Sequence, residues 1–243
     1  MKKTIFISGS SRGIGFGLAE KFKKIGYDVL LNSKNLKNLK IASKKLDNSD
    51  YFLGDVCNAK AVKKIFKQIK NKKKKIDVII CNYGNSDPKN NNLNFEHALK
   101  HNFYSAVNVV REGTKLLQKN KGKIICISSI CGVEVIKNAP IGYSLAKSLL
   151  NNYVKSISHY LAEDGISINA IAPGNILFNG SVWDKKIKKN KNKTFNYIKS
   201  VVPLKKFGSI NDIYEMCEFI INNKSQFTSG STYILDGAQT KKF

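Results

Sequence analysis

The chain has 243 residues, of which 42% are hydrophobic, so it can bury one sizeable core and falls within the range of a single domain. Lysine and arginine number 42 against 17 acidic residues, which gives a formal net charge of +25. No stretch approaches about 18 consecutive apolar residues, and the start Met1-Lys2-Lys3 runs directly into a strand-like segment. The composition therefore predicts a soluble, cytoplasmic protein with no membrane partner.

The positive charge is dispersed along the chain rather than gathered in one basic surface. Only Lys72–Lys75 and Lys185–Lys193 form dense runs, and neither alternates with aromatic residues that would stack on bases. Most of the charge comes from lysine, whereas arginine is favoured for base recognition. We therefore expect solvated surface and no specific nucleic-acid binding.

The cysteines do not have the paired spacing of a zinc site, and we predict no metal site. The five are Cys57, Cys81, Cys126, Cys131 and Cys217. Cys131 lies near the candidate chemical centre, although a thiol in such a place is more often a packing residue than a participant.

Apolar strand patterns alternate with helical patterns along the whole chain. Strands are predicted at Thr4–Ile7, Asp28–Asn32, Tyr51–Leu53, Ile76–Cys81, Lys123–Ser128, Ser167–Ala172 and Ser231–Leu235, and a loop at Asn85–Asn94. Helices are predicted after Gly15 through Ile25 and over Asn35–Leu46, Asn58–Lys70, Phe95–Lys119, Tyr143–Glu163 and Ile210–Asn222. This order predicts an α/β fold of the Rossmann type, doubly wound, with a parallel sheet, helices on both faces and ligands at the strands' carboxyl ends.

The first strand leads into a glycine-rich loop, Ser8-Gly9-Ser10-Ser11-Arg12-Gly13-Ile14-Gly15, with the spacing GxxxGxG. Glycines allow a tight turn and close backbone approach, while a helix N-terminus offers free N–H groups to a pyrophosphate. Strand, glycine loop and helix in this order predict a phosphate cradle for a dinucleotide.

The residues after the second and third strands bear on the choice of cofactor. Ser33 and Lys34 stand where NAD-preferring proteins usually carry an acidic residue. With Arg12 and Lys34 available to a 2′-phosphate, the sequence favours NADP over NAD. Asp55 is open to two interpretations: it reaches an adenine edge, or it caps the following helix.

A serine, a tyrosine and a lysine form the candidate chemical centre. Tyr143 and Lys147 are four residues apart in a predicted helix, and therefore lie on one face, one turn apart. A nearby ammonium favours the phenolate, so we expect Lys147 to lower the pKa of Tyr143. Ser129, at the end of the preceding strand, would donate to the same substrate oxygen.

The order of these motifs resembles that of the classical short-chain dehydrogenase/reductase family over nearly the whole chain. The resemblance is carried by the glycine loop, Asn82-Tyr83-Gly84, Asn102, Ser129, Tyr143 with Lys147, and Pro173-Gly174. It implies a seven-stranded sheet, a homotetramer or homodimer, and hydride exchange between NADP(H) and a small ketone or secondary alcohol.

The resemblance also implies roles for individual residues. Tyr143 would be the general acid in reduction, Lys147 would bind the nicotinamide ribose, Asn102 would anchor a water in a proton relay, and Ser129 would hold the substrate oxygen. The implied cofactor-binding residues are Gly9, Ser11, Arg12, Gly13, Ile14, Gly15, Ser33, Lys34, Asp55, Val56, Asn82, Gly84, Tyr143, Lys147, Pro173, Gly174 and Ile176.

Three departures from the family pattern raise questions about the site. Ser8 replaces the usual threonine and keeps a hydroxyl. Tyr83 replaces a common alanine, so a large ring is expected beside the cofactor site, narrowing it. No threonine follows Pro173-Gly174 by a few residues, so the carboxamide contact would fall to the backbone or to Asn175.

The segment of residues 175–208 is the expected substrate lid. Within it, Trp183 either stacks on a substrate ring or anchors the lid, and Asn175 and Asn179 suggest a sugar-like or other polar carbonyl. The nearby lysines would suit an anionic or nucleotide-linked substrate. Two alternatives stay open: a 3-oxoacyl-acyl-carrier-protein reductase, and a non-catalytic relative that senses nucleotides or binds nucleic acid.

Overall fold

Seven strands form one parallel sheet in the order β3-β2-β1-β4-β5-β6-β7. The computed structural model describes residues 2–73, 75–85, 94–117, 119, 121–225 and 227–241. The strands are β1 Thr4–Ile7, β2 Asp28–Ser33, β3 Tyr51–Leu53, β4 Val78–Cys81, β5 Lys123–Ile127, β6 Ser167–Pro173 and β7 Thr232–Leu235. The strand order reverses between β1 and β4, and this is where ligands bind in open parallel sheets. The expected fold class is confirmed.

Helices cover both faces of the sheet. They are α1 Gly13–Lys24, α2 Leu36–Lys45, α3 Ala59–Lys73, α4 Phe95–Leu99, α5 Ser105–Gly113, α6 Ile141–Glu163, α7 Val182–Lys189, α8 Lys191–Val201 and α9 Ile210–Asn222. Alternation along β1 divides the core: Ile5 and Ile7 pack with Phe22 of α1 on one face, and Phe6 packs against Phe66 of α3 on the other. Both faces are thus buried, which explains the continuous apolar strands.

The expected single helix over Phe95–Lys119 is wrong. It is divided into α4, a π-helical turn at Lys100–Tyr104, α5 and a short 3₁₀ turn that ends at Leu116. A π turn inserts one extra residue into the helical ladder, and such insertions are frequent at functional sites. Most of the expected loop at Asn85–Asn94 lies outside the described residues.

Other element boundaries differ by a few residues from those expected. The strand expected at Ile76–Cys81 begins at Val78, because Ile76 pairs separately with Leu117 in an isolated bridge. No helix among the described residues combines the length and the apolar composition needed to cross a bilayer.

The segment that carries α7 and α8 is tied at both ends beside the sheet. Leu177 donates its N–H to the Gly208 carbonyl at 2.8 Å, and Gly208 donates to the Asn175 carbonyl at 3.0 Å. Ser181 caps α7 and Asn190 caps α8 through their side-chain oxygens. The two helices therefore form a short excursion whose start and finish are held together.

Candidate active site

The carboxyl ends of β4, β5 and β6 open into a cavity of about 880 Å³. The residues predicted from the sequence that line it are Ile14, Asn82, Gly84, Asn102, Ser129, Tyr143, Lys147, Pro173, Gly174 and Ile176. All four predicted catalytic residues are thus brought to one cavity. The other predicted cofactor residues, on the glycine loop and after β2 and β3, do not line it: Gly9, Ser11, Arg12, Gly13, Gly15, Ser33, Lys34, Asp55 and Val56.

Tyr143 lies in the first turn of α6, which begins at Ile141 after Pro140. Burial raises the pKa of Tyr143 to about 12, because the phenolate is poorly solvated there, and a hydrogen bond with Ser129 lowers it only in part. The expectation that Lys147 lowers the pKa of Tyr143 is therefore wrong. At neutral pH the phenol is protonated.

Lys147 is a buried cation, with 3% of its surface exposed. Its Nζ donates to the carbonyl of Ile127 at 2.8 Å and lies 5.8 Å from the centroid of the Tyr143 ring. Burial lowers the pKa of Lys147 to about 8. Desolvation thus dominates both groups and moves the two pKa values in opposite directions, the phenol upwards and the ammonium downwards.

The two serines after β5 have different partners. Ser129 caps a short 3₁₀ turn and accepts the N–H of Cys131 at 3.2 Å, while its hydroxyl is shared with Tyr143. Ser128 turns away from the tyrosine and donates to the carbonyl of Lys147 at 3.4 Å. Of the two, Ser129 is therefore the one placed to hold a substrate oxygen next to the phenol.

Asn102 lies inside the π turn and its side chain is fully engaged. Its Oδ1 accepts the N–H of Asn85 at 2.9 Å, and its Nδ2 donates to the carbonyls of Asn85 and Ala98. A methyl group added at Gly84 would lie 2.9 Å from this Oδ1 and 3.3 Å from Nζ of Lys147. Glycine at this position leaves room for the side chains of Asn102 and Lys147, which both line the cavity.

The glycine loop has the features expected of a phosphate cradle. Gly9 and Gly13 have φ of +64° and +61°, a conformation that favours glycine. A methyl group at Gly15 would lie 2.4 Å from Nδ2 of Asn82. No side chain caps the N-terminus of α1 and no acidic residue occupies its first turn, so its N–H groups are open to an anion. The residues present therefore fit a dinucleotide pyrophosphate.

Ser8 and Asn82 join the glycine loop to the end of β4. The Ser8 hydroxyl accepts the N–H groups of Asn82 and Tyr83 at 3.0 and 3.2 Å. Asn82 in turn donates from Nδ2 to the carbonyls of Ser8 and Gly9. The hydroxyl retained at Ser8 thus holds the two loops in register.

The groups after β2 and β3 lie apart from the cavity. Lys34 approaches Asp55 at 3.8 Å, and Asp55 also accepts the N–H of Cys57 at 2.9 Å. The helix-cap interpretation of Asp55 is wrong, because Asn58 accepts the N–H of Ala61 and caps α3 instead.

Val56 is buried in the core with 2% exposed. Its carbonyl accepts Nδ2 of Asn108 at 3.1 Å. Its side chain and its carbonyl oxygen are therefore already engaged within the protein.

Tyr83 contacts the glycine loop but does not line the cavity. Its ring lies beside Gly9, and its hydroxyl hydrogen-bonds to Nδ1 of His101 at 2.8 Å. The Cys57 thiol lies 3.5 Å from the same nitrogen. The ring thus lies beside the glycine loop, as expected, and its hydroxyl reaches the π turn; narrowing of the cofactor site by Tyr83 stays a prediction. His101 was not among the residues predicted from the sequence.

The segment after Pro173-Gly174 closes one side of the cavity. Nδ2 of Asn175 donates to Oε1 of Gln239 at 2.6 Å, so this amide nitrogen is already engaged. Trp183 stacks on Tyr197 of α8, with ring centroids 5.7 Å apart, and contacts Phe207. These contacts match the interpretation of Trp183 as an anchor of the lid, because the indole joins α7 to α8.

Comparison with known proteins identifies the family. A family model described as enoyl-(acyl carrier protein) reductase matches residues 9–240, almost the entire chain. The chain belongs to the short-chain dehydrogenase/reductase family. The matched relatives are oxidoreductases, and the resemblance stated from the motifs is confirmed.

Two relatives and one solved structure illustrate where the chain lies within the short-chain dehydrogenase/reductase family. It is 30% identical over 240 residues to the 3-oxoacyl-[acyl-carrier-protein] reductase FabG of Rickettsia typhi, covering 97% of this chain and 95% of that protein. It is 29% identical to the FabG of Buchnera aphidicola subsp. Schizaphis graminum, covering 97% and 96%. L-sorbose reductase from Gluconobacter frateurii, complexed with NADPH and L-sorbose, matches with a TM-score of 0.87 at 25% identity, covering 100% and 98%.

Proposed function

We propose that this short-chain dehydrogenase/reductase is an NADP(H)-dependent enzyme that reduces a ketone to a secondary alcohol. The observation that carries the proposal is the meeting of Ser129, Tyr143 and Lys147 at one cavity that also contains Asn102. A protein that only bound nucleotides or nucleic acid would have no need of this set. The non-catalytic alternative is therefore disfavoured.

Tyr143 is the proton donor in this proposal. With its pKa raised to about 12, the phenol carries its proton at neutral pH and can give it to a carbonyl oxygen as that oxygen gains charge. Ser129, which shares a hydrogen bond with the phenol, donates to the same oxygen and orients it. This protonation state favours the reductive direction.

Lys147 and Asn102 assist the proton donor Tyr143 in this proposal. Below a pH of about 8 the ammonium of Lys147 is charged, so it stabilises negative charge that develops on the phenol oxygen. Its hydrogen bond to Ile127 uses one of three N–H donors, which leaves two for a ribose hydroxyl or water. The side chain of Asn102 hydrogen-bonds to the backbone N–H and carbonyl of Asn85 and so holds that backbone segment in place.

The cofactor would be held by the glycine loop and by the ends of β2 and β4. Gly9, Gly13 and the N-terminus of α1 would receive the pyrophosphate, and Arg12 and Lys34 the 2′-phosphate. Bound there, NADPH supplies the hydride. The NADPH complex of the similar L-sorbose reductase supports NADP over NAD.

Two classes of substrate are supported, one by the cavity and one by the relatives. Polar side chains along the cavity, among them Asn138 and Asn175, support a sugar-like or other polar carbonyl. The FabG relatives support the second candidate, a 3-oxoacyl thioester. Residues 175–208 would be the lid over either substrate, within a single domain of residues 1–243.

Assembly and cellular location remain predictions. We expect a homotetramer or homodimer in the cytoplasm. Exposed apolar side chains on α6, such as Leu145 at 53% and Leu149 at 42%, are consistent with contact between subunits.

The proposed function is tested by following NADPH absorbance with a panel of carbonyl compounds. The panel contains ketohexoses and acetoacetyl-N-acetylcysteamine, a neutral 3-oxoacyl thioester. We expect substrate-dependent oxidation of NADPH with at least one member, and a rate with NADH at least about tenfold lower at equal concentration. No oxidation with any member, from a protein that binds NADPH, would favour the non-catalytic alternative.

A further inference from the structure

The basic run of the lid is divided between two sides of its helices. Lys186, Lys189 and Lys193 line the cavity, whereas Lys185, Lys188 and Lys191 do not. Within α7 the division follows helical spacing, since Lys186 and Lys189 are three residues apart and share a face, while Lys193 lies in the first turn of α8. Solvated surface was expected for most of the chain's charge, whereas the lid lysines were expected to suit an anionic substrate; half of the six lysines in this run line the cavity.

The cavity lining is positively charged and contains no acidic side chain among its described residues. Lys137 and Lys147 join the three lid lysines there, and neither aspartate nor glutamate does. The ion pair found on this part of the lid, between Lys188 and Asp184 at 2.8 Å, is on the other side. Like charges lining one cavity repel each other unless an anion enters.

A contact with an aromatic ring orders one of the three lid lysines that line the cavity. Nζ of Lys186 lies 4.4 Å from the centroid of the Trp183 ring, which is fixed against Tyr197. Asn190 caps α8 by accepting the backbone N–H of Lys193 at 2.9 Å, at the start of that helix. The side chains of Lys186, Lys189 and Lys193 are exposed at the cavity, where an anion can reach them.

We propose that the lid selects carbonyl substrates that carry an anionic group, a phosphate or carboxylate, remote from the reacting carbon, and that Lys186, Lys189 and Lys193 bind this group. The proposal rests on the proposed function, because it names the substrate class of the same site. The anion has two possible sources: a small phosphorylated or carboxylated ketone, or the phosphate-bearing arm of a carrier-linked thioester.

Paired substrates test this selection. Each pair shares the reacting carbonyl and differs in charge: acetoacetyl-N-acetylcysteamine with acetoacetyl-coenzyme A, and a ketohexose with its phosphate ester. We expect kcat/KM to be about tenfold or more higher for the anionic member of one pair, through a lower KM. The pair that responds identifies the source. Equal values within both pairs would overturn the proposal and leave the proposed reduction intact.

Two triple variants of equal charge change separate a local effect from a bulk one. The inner variant is K186Q/K189Q/K193Q, and the outer control is K185Q/K188Q/K191Q. We expect the inner variant to lose the preference for the anionic member, because its KM for that member rises toward the KM for the neutral one. The outer control should keep the preference. An equal loss in both variants would assign the effect to net charge and overturn the proposal.

A binding measurement covers the case in which no substrate in the panel is reduced. Trp183 is the single tryptophan of the chain, so its fluorescence reports on the lid. Titration with inorganic pyrophosphate, against sodium chloride at equal ionic strength, should give a saturable change in the wild type and outer control but not in the inner variant. No saturable change in the wild type, or the same change in the inner variant, would overturn the proposal.

Discussion

The buried ammonium of Lys147 donates a hydrogen bond to the backbone carbonyl of Ile127 at 2.8 Å. This bond fixes the cation between the end of β5 and the first turns of α6, next to the Tyr143 ring. Burial without an acidic partner disfavours its charge and lowers its pKa to about 8. The site thus retains a cation at a cost in stability, as functional sites often do.

This cost should be visible in the stability of Lys147→Met. An unfolded lysine has a pKa near 10.5, so between about pH 8 and 10.5 the unfolded chain binds more protons and wild-type stability rises with pH. The variant lacks this dependence. We therefore expect the free energy of unfolding of the variant minus that of the wild type to be about 2 kcal/mol larger at about pH 6.5 than at about pH 9.5.

Urea unfolding at the two pH values measures this difference. Lys155→Met, which removes an exposed lysine from the same helix, is the control and should change little between them. A difference for Lys147→Met that is constant with pH would mean that the lysine is not desolvated in the folded protein.

The pH dependence of reduction should follow the same group. Tyr143 stays protonated up to about pH 12, so the proton donor does not limit the reaction in the neutral range. Lys147 loses its charge as the pH rises through about 8. We expect kcat for ketone reduction to be flat below that pH and to fall above it by up to about tenfold per pH unit. A profile that rises between about pH 8 and 10 would contradict this assignment.

The small space at Gly84 gives a test of positioning. An alanine there would place its methyl group 2.9 Å from Oδ1 of Asn102 and 3.3 Å from Nζ of Lys147. The side chain of Asn102, and with it that of Lys147, must shift to make room for this methyl group. Because both line the site, we expect kcat to fall by about tenfold to a hundredfold. Gly17→Ala is the matched control, because its methyl group would crowd Ile210 at 2.8 Å, away from the cavity. Equal losses of kcat in the two variants would indicate general destabilisation.

Cofactor preference should depend on Arg12 and, more weakly, on the exposed Lys34, which Asp55 approaches at 3.8 Å. We expect Arg12→Ala to raise the Kd for NADPH by about tenfold or more and to leave the Kd for NADH nearly unchanged. Fluorescence titration at fixed salt measures both constants. Lys40→Ala removes an exposed cation from α2 and should affect neither. A parallel loss of both cofactors in Arg12→Ala would show that the arginine does not read the 2′-phosphate.

The fold could be predicted because its strands are buried on both faces. Segments such as Val78–Cys81 are continuously apolar, and helical patterns alternate with the strands along the chain, which leaves few arrangements other than a parallel sheet. The four predicted catalytic residues lie at one cavity because the carboxyl ends of parallel strands meet at one edge of the sheet. Chain order alone was therefore enough to bring Ser129 and Tyr143 to the same cavity.

Features that depend on burial or on one extra residue could not be predicted. The periodicity around Asn102 is the same whether or not a π turn is inserted, so the interruption of the helix was missed. The four-residue spacing of Tyr143 and Lys147 correctly placed them on one face. It carried no information about desolvation, which reverses the expected shift of the tyrosine pKa. The sequence indicated that the lid lysines would suit an anionic substrate, but it did not show which of them line the cavity.

The most direct test of the account is Tyr143→Phe, which removes one hydroxyl from the candidate proton donor. Tyr160→Phe, on the same helix with 66% of its side chain exposed, is the control. We predict that Tyr143→Phe binds NADPH with an unchanged Kd and loses kcat for ketone reduction by about 10² to 10⁴, while Tyr160→Phe keeps wild-type activity. Turnover by Tyr143→Phe within about twofold of wild type would contradict the assignment of Tyr143 as the acid.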